Sequence, residues 1–141
     1  MLRREDFVGT WRLRRKIVDH LSGQEGHLQG EAVLTPDGDR RLIYDESGTL
    51  VLAHGTEMVA TRRYLWDFVG DQVVVTFEDG RPFHQFMPAG DVDGTDHPCG
   101  DDFYTVQYHF TTWPIWEAVW TVNGPRKDYV SRSDYAPIAL R

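Results

Sequence analysis

Gln72-Val73-Val74-Val75-Thr76-Phe77-Glu78-Asp79-Gly80-Arg81-Pro82-Phe83-His84-Gln85-Phe86 decides the fold. Two short runs of β-branched and aromatic residues flank Asp79-Gly80, a dipeptide suited to the two-residue type I′ hairpin turn, whose central residues both take positive φ. On that turn Glu78 pairs with Arg81, Phe77 with Pro82, Thr76 with Phe83 and Val75 with His84. Paired residues share a face of the sheet, so His84 joins Val73, Val75, Phe77 and Phe86 on the apolar side. Glu78, Thr76, Arg81 and Gln85 then face water, and this register sends Phe83 outward with them.

The same punctuation recurs along the chain. Pro36-Asp37-Gly38-Asp39, Glu46-Ser47-Gly48-Thr49, Val69-Gly70-Asp71 and Val122-Asn123-Gly124-Pro125 are turn formers at hairpin spacing. Between them lie candidate strands over 11–19, 27–35, 41–45, 49–53, 58–67, 72–78, 83–87, 103–111, 116–123 and 126–133. Ten short strands without a βαβ rhythm predict an all-β, antiparallel up-and-down barrel, since closing the meander removes both exposed edges. Only Leu2 to Phe7 reads as a short helix, placed to plug one end.

The 141 residues are 40% hydrophobic and 13% aromatic, the size and composition expected of a single domain spanning 1–141. No run approaches the roughly 20 apolar residues of a membrane helix, and Met1-Leu2-Arg3-Arg4-Glu5-Asp6 has no apolar signal core, so a cytoplasmic location is expected. Cys99 is the only cysteine, which excludes an internal disulfide. A net charge of −7 argues against a nucleic-acid partner. There is no Gly-x-Ser-x-Gly elbow, phosphate loop or dinucleotide fingerprint.

Alternation along the first strand puts Trp11, Leu13, Arg15 and Ile17 on one face. Arg15 therefore falls on the Trp11 side. An interior arginine requires a partner, and the candidates are Glu46, which alternates with Leu42 and Tyr44, and the phenols of Tyr104, Tyr108 and Tyr129. The alternative is an Arg15 that reaches solvent at the end of its strand.

Phe7-Val8-Gly9-Thr10-Trp11 resembles the Gly-x-Trp opening of lipocalins and related calycins. That resemblance implies a Trp11 closing the barrel floor, with a late basic residue, Arg126 or Lys127, packed on it. Gly9-Thr10-Trp11 with Arg15, Asp79-Gly80-Arg81-Pro82-Phe83-His84, His97-Pro98-Cys99-Gly100-Asp101-Asp102-Phe103-Tyr104 and Trp120-x-x-x-Gly124-Pro125-Arg126-Lys127-Asp128-Tyr129 together resemble a lipocalin-like bacterial family of unknown function. The resemblance spans nearly the whole chain. It implies a fold and brings no activity or catalytic residue with it.

The function expected from these residues is binding of a small organic ligand, partly apolar and with an anionic variant suggested by Arg15, inside the barrel. Trp11, Trp66, Trp120 and several tyrosines would supply walls and Arg15, His84 and Tyr104 polar contacts, with Glu46, Tyr108 and Tyr129 also at the ligand site. The rival is an enzyme, an isomerase, cyclase or hydrolase that uses His84 as acid or base. His97 and Cys99 have a spacing that two metal ligands can use, and a zinc site would need His84 or His109 to converge on them. Haem held by a barrel histidine is a third reading. Asp91-Val92-Asp93-Gly94-Thr95-Asp96 lacks the glutamate of a calcium loop and reads as a solvated acidic loop.

Overall fold

The computed structural model of the protein describes residues 1–138. A helix, α1 (Arg4–Phe7), precedes β1 (Gly9–Asp19), β2 (Glu25–Asp37), β3 (Arg41–Leu52), β4 (Glu57–Val69) and β5 (Gln72–Phe77). Then come β6 (Pro82–Phe86), β7 (Asp91–Asp93), β8 (His97–Cys99), β9 (Asp102–His109), β10 (Trp116–Asn123) and β11 (Asp128–Pro137). All the pairings are antiparallel, and the strand order is β6-β5-β4-β3-β2-β1-β11-β10-β9-β7, with β8 on β9. This is the expected up-and-down barrel, entered at β1 and closed by β1 pairing with β11.

The free edges, β6 and β7, nearly meet. Thr95 N donates to Gln85 O at 2.9 Å, Gln85 N donates to Thr95 Oγ1 at 2.9 Å, and Gly94 N donates to Val106 O at 3.0 Å. The acidic segment read as a solvated loop is therefore an edge strand and the stitch that tacks β6 to β9. Composition concealed it because its outward Asp residues meet water while its backbone completes the sheet.

Two predicted turns behave differently from expectation. Glu46-Ser47-Gly48-Thr49 lies inside β3, with Glu46 paired to Ala32 and Gly48 to Gly30. The glycine is there for close approach: a Cβ on Gly30 would collide with the Ser47 carbonyl oxygen and Gly48 Cα. The second correction is at the hairpin between β5 and β6. Phe77 N donates to Arg81 O and Gly80 N to Phe77 O, both at 2.9 Å, so the loop has three residues, with Gly80 at φ +88°. A bulge then skips Phe83, so that Thr76 pairs with Pro82 and Val75 with His84. The one-residue shift at the turn and the one-residue bulge cancel. His84 faces inward as expected, whereas Phe83 turns inward too and stacks on Trp120 at 4.9 Å.

Trp11 lies at the closed end. Its Nε1 donates to Phe7 O at 2.9 Å, and its ring packs against Trp113 and Trp116. Phe7, wholly buried, meets Trp66, Phe110, Trp113 and Trp116 edge to face, so α1 does plug the floor. The late basic residues do not reach it. Trp11 pairs with Pro137 while Asp19, at the far end of β1, pairs with Tyr129. Arg126 and Lys127 thus sit at the opposite, open end, and aromatic rings do the packing that a cation was expected to do.

Candidate functional site

Between the aromatic floor and the open end lies a cavity of about 330 Å³, within the range of small-molecule sites. Strand alternation builds its wall. Tyr44 and Glu46 come from β3, Arg62, Tyr64 and Trp66 from β4, and Trp116, Ala118, Trp120 and Val122 from β10. From β11 come Tyr129, Ser131, Ser133 and Tyr135, each two residues from the next. The eight residues singled out from the sequence, Arg15, Glu46, Trp66, His84, Tyr104, Tyr108, Trp120 and Tyr129, all line this one space.

Arg15 is buried and fully engaged. Its Nη1 and Nη2 donate to the two oxygens of Glu46 at 2.7 and 2.8 Å, and its Nε donates to Ser133 Oγ at 2.7 Å. Tyr44 Oη donates to Glu46 Oε1 at 2.7 Å and lies 2.7 Å from Tyr135 Oη. Burial opposes charging of both ions, but their mutual hydrogen bonds and charge outweigh it. The Glu46 carboxyl is held below the ordinary carboxylate range, and the Arg15 guanidinium is pushed above its own. Tyr135 is pushed up to about 12, first by burial and then by the Glu46 charge. The interior arginine is therefore neutralised by the protein itself.

His84 is the second polar centre. Its Nε2 lies 2.7 Å from Tyr108 Oη, and burial, with a smaller push from His97, lowers the ring to about 3. The imidazole is neutral at pH 7. Whichever partner donates, Nδ1 is left without a protein partner, as is the indole Nε1 of Trp116, and both atoms are buried.

The remaining candidates are not brought together. His97 packs against Phe77, Phe83 and Tyr104 rather than lining the cavity, and Cys99 is exposed. His109 lies on the outside against Asp91. Among the described residues no three His, Cys, Asp or Glu side chains are grouped to hold a metal ion. A metal centre on His97 and Cys99 thus has no geometric support among the described residues, and at His84, the histidine that would hold haem, Tyr108 occupies one of the two ring nitrogens.

Sequence reasoning missed Tyr44, Tyr135, Ser133, Phe83, Trp116 and Arg62. For Arg62 the signal was present, because it shares the period-two face of Tyr64 and Trp66. Phe83 carried no such signal, its direction being set by the bulge.

A family model described as a family of unknown function (DUF6314) matches residues 7–137. No curated protein matches the chain in sequence. Among solved structures it is similar to the S-type phycobiliprotein lyase CPES of Guillardia theta, with TM-score 0.69 and 11% identity over 98% of this chain and 92% of that one. It is also similar to a protein of unknown function of the DUF3598 family from Nostoc punctiforme, with TM-score 0.63 and 12% identity over 96% of this chain and 48% of that one. At these identities the likeness is one of fold. No helix among the described residues is long and apolar enough to cross a membrane.

Proposed function

The chain belongs to the DUF6314 family of unknown function, and from the interior of its barrel we propose that it binds one small, flat, partly polar organic molecule between the aromatic floor and the open end. The observation that carries this reading is the cavity of about 330 Å³ whose wall includes two residues with an unpartnered buried ring nitrogen, His84 Nδ1 and Trp116 Nε1. A buried donor or acceptor left unpaired costs about 1–3 kcal/mol, which a complementary ligand group recovers. The Phe83–Trp120 and Trp116–Tyr135 stacks give the wall flat faces suited to a planar ring system.

An anionic ligand group has no free cation in Arg15, whose fork is filled by Glu46. The enzyme alternative centred on His84 draws on the lyase of similar fold and on the His84–Tyr108 contact. Against it, a ring held at about 3 is a poor proton shuttle near neutrality, where an acid or base works best with a pKa near the working pH. As a neutral hydrogen-bonding contact for a ligand, His84 needs no such match.

Titration with the uncharged dye N-phenyl-1-naphthylamine tests the proposal. Saturable fluorescence enhancement at one site per chain is expected, lost in Ser131→Phe and Ala118→Phe, which fill the cavity from two different strands. Absence of saturable binding, or binding unchanged in both variants, sinks the barrel-binding reading.

A further inference from the structure

The cavity carries a charge imbalance that the Arg15–Glu46 pair does not account for. Among the described residues that line it, the side chains charged at neutral pH are Arg15, Glu46 and Arg62. Arg15 and Glu46 cancel as a bidentate pair. Arg62 stands opposite Glu46 in the β3–β4 register and on the same inward-facing side as Tyr64 and Trp66, yet is exposed because the barrel is open there. Among the described residues it makes no salt bridge, and both Glu46 oxygens are already taken by Arg15, with Tyr44 sharing one. Of the other cations at this end, Lys127 is matched by Asp102 at 3.3 Å, and Arg126, exposed and also without a salt bridge among the described residues, does not line the cavity. Among the residues lining the cavity, Arg62 is thus the one unmatched positive charge, in a chain of net charge −7.

Resting on the barrel-binding reading, we propose that Arg62 is the anion anchor of the site, so that the ligand is a flat aromatic monoanion, a carboxylate or sulfonate, held with its acid at the mouth and its ring system towards Trp116. A guanidinium presents a planar fork that meets such an oxyanion with two parallel hydrogen bonds. One negative charge makes the occupied cavity neutral. A dianion would leave excess charge beside Glu46, and a cation would meet Arg62 at the entrance with no free carboxylate inside. The protein's overall negative charge repels anions at long range, which makes a dedicated cation at the entrance the local feature that reverses the sign.

The test uses two dyes with one ring system. 1-Anilinonaphthalene-8-sulfonate carries one sulfonate, and N-phenyl-1-naphthylamine lacks it. The wild-type protein is expected to bind the sulfonate about tenfold more tightly. Arg62→Met should remove that preference while changing the affinity for the neutral dye less than twofold, and Arg62→Lys should keep part of it through its charge. Circular dichroism melting of each variant confirms that this exposed position leaves the fold intact. Equal binding of the two dyes by the wild type, or a sulfonate preference that survives Arg62→Met, overturns the anchor while leaving the barrel-binding reading in place. Failure of both dyes to bind the wild type overturns both.

Discussion

Arg15 on β1 and Glu46 on β3 meet over the inner face of β2 in a two-pronged ion pair, 2.7 and 2.8 Å between donors and acceptors, although they lie 31 positions apart in sequence. Both are almost fully shielded from water, so neither charge is tolerable without the other. The pair also shapes the site, because it leaves the cavity wall polar at that point without leaving it charged.

Removing one partner should be costly. Glu46→Leu strands a buried guanidinium and is expected to destabilise the protein by about 3–5 kcal/mol, read from urea unfolding. The double variant Arg15→Met, Glu46→Leu removes both charges together and should recover most of that loss. If the double variant is no more stable than Glu46→Leu, the pair does not act as a unit.

The pH dependence has a definite sign. Burial first, and His97 second, lower His84 from its ordinary 6.5 to about 3, so between those values the unfolded chain binds a proton that the folded protein refuses. The His84 contribution is complete above pH 6.5 and lost as pH falls towards 3, amounting to about 2–3 kcal/mol by pH 4.5. The Glu46 contribution, from a carboxyl held below its ordinary 4.5, is present above that value and lost only as the pH falls further. Stability curves of the wild type and His84→Gln should therefore diverge between pH 6.5 and 4.5. In a proton-carbon NMR titration the His84 ring should stay neutral down to pH 4. A ring signal titrating near 6.5 contradicts its placement.

Gly30 tests the close pairing of β2 and β3. A methyl group there meets the backbone of Ser47 and Gly48, which has no rotamer by which to move aside. Gly30→Ala is expected to cost about 1–3 kcal/mol in urea unfolding. Gly38→Ala carries strain of a different origin, a positive φ of 70° with open space around it, and should cost about 1 kcal/mol. Equal costs at the two positions would mean that the strands part easily at Gly30.

Much of the barrel was legible because its signals are local. Period-two alternation placed Arg15 with Trp11 and Glu46 with Tyr44, and both assignments hold because each strand is straight enough to keep its faces over those few residues. All eight candidate residues do line the cavity, Arg15 and Glu46 among them by this rule. The rule failed where an extra residue interrupts the period. At Phe83 the bulge reversed the expected direction, and at His84 the correct direction came from two compensating shifts, the longer turn and the bulge.

The amino-acid sequence by itself determined the strand class, most of the turns and the inward sets along uninterrupted strands, since turn chemistry and side-chain alternation depend only on neighbouring residues. The tertiary structure alone decided three things. It gave Arg15 its partner in Glu46 rather than in a ligand, it made Glu46-Ser47-Gly48-Thr49 part of a continuous paired strand instead of a turn, and it left Arg62 as the unmatched charge on the cavity wall. Each depends on which strand lies opposite which, and that register is settled by packing across the barrel, where a carboxylate two strands away competes for the same guanidinium that a local reading leaves free.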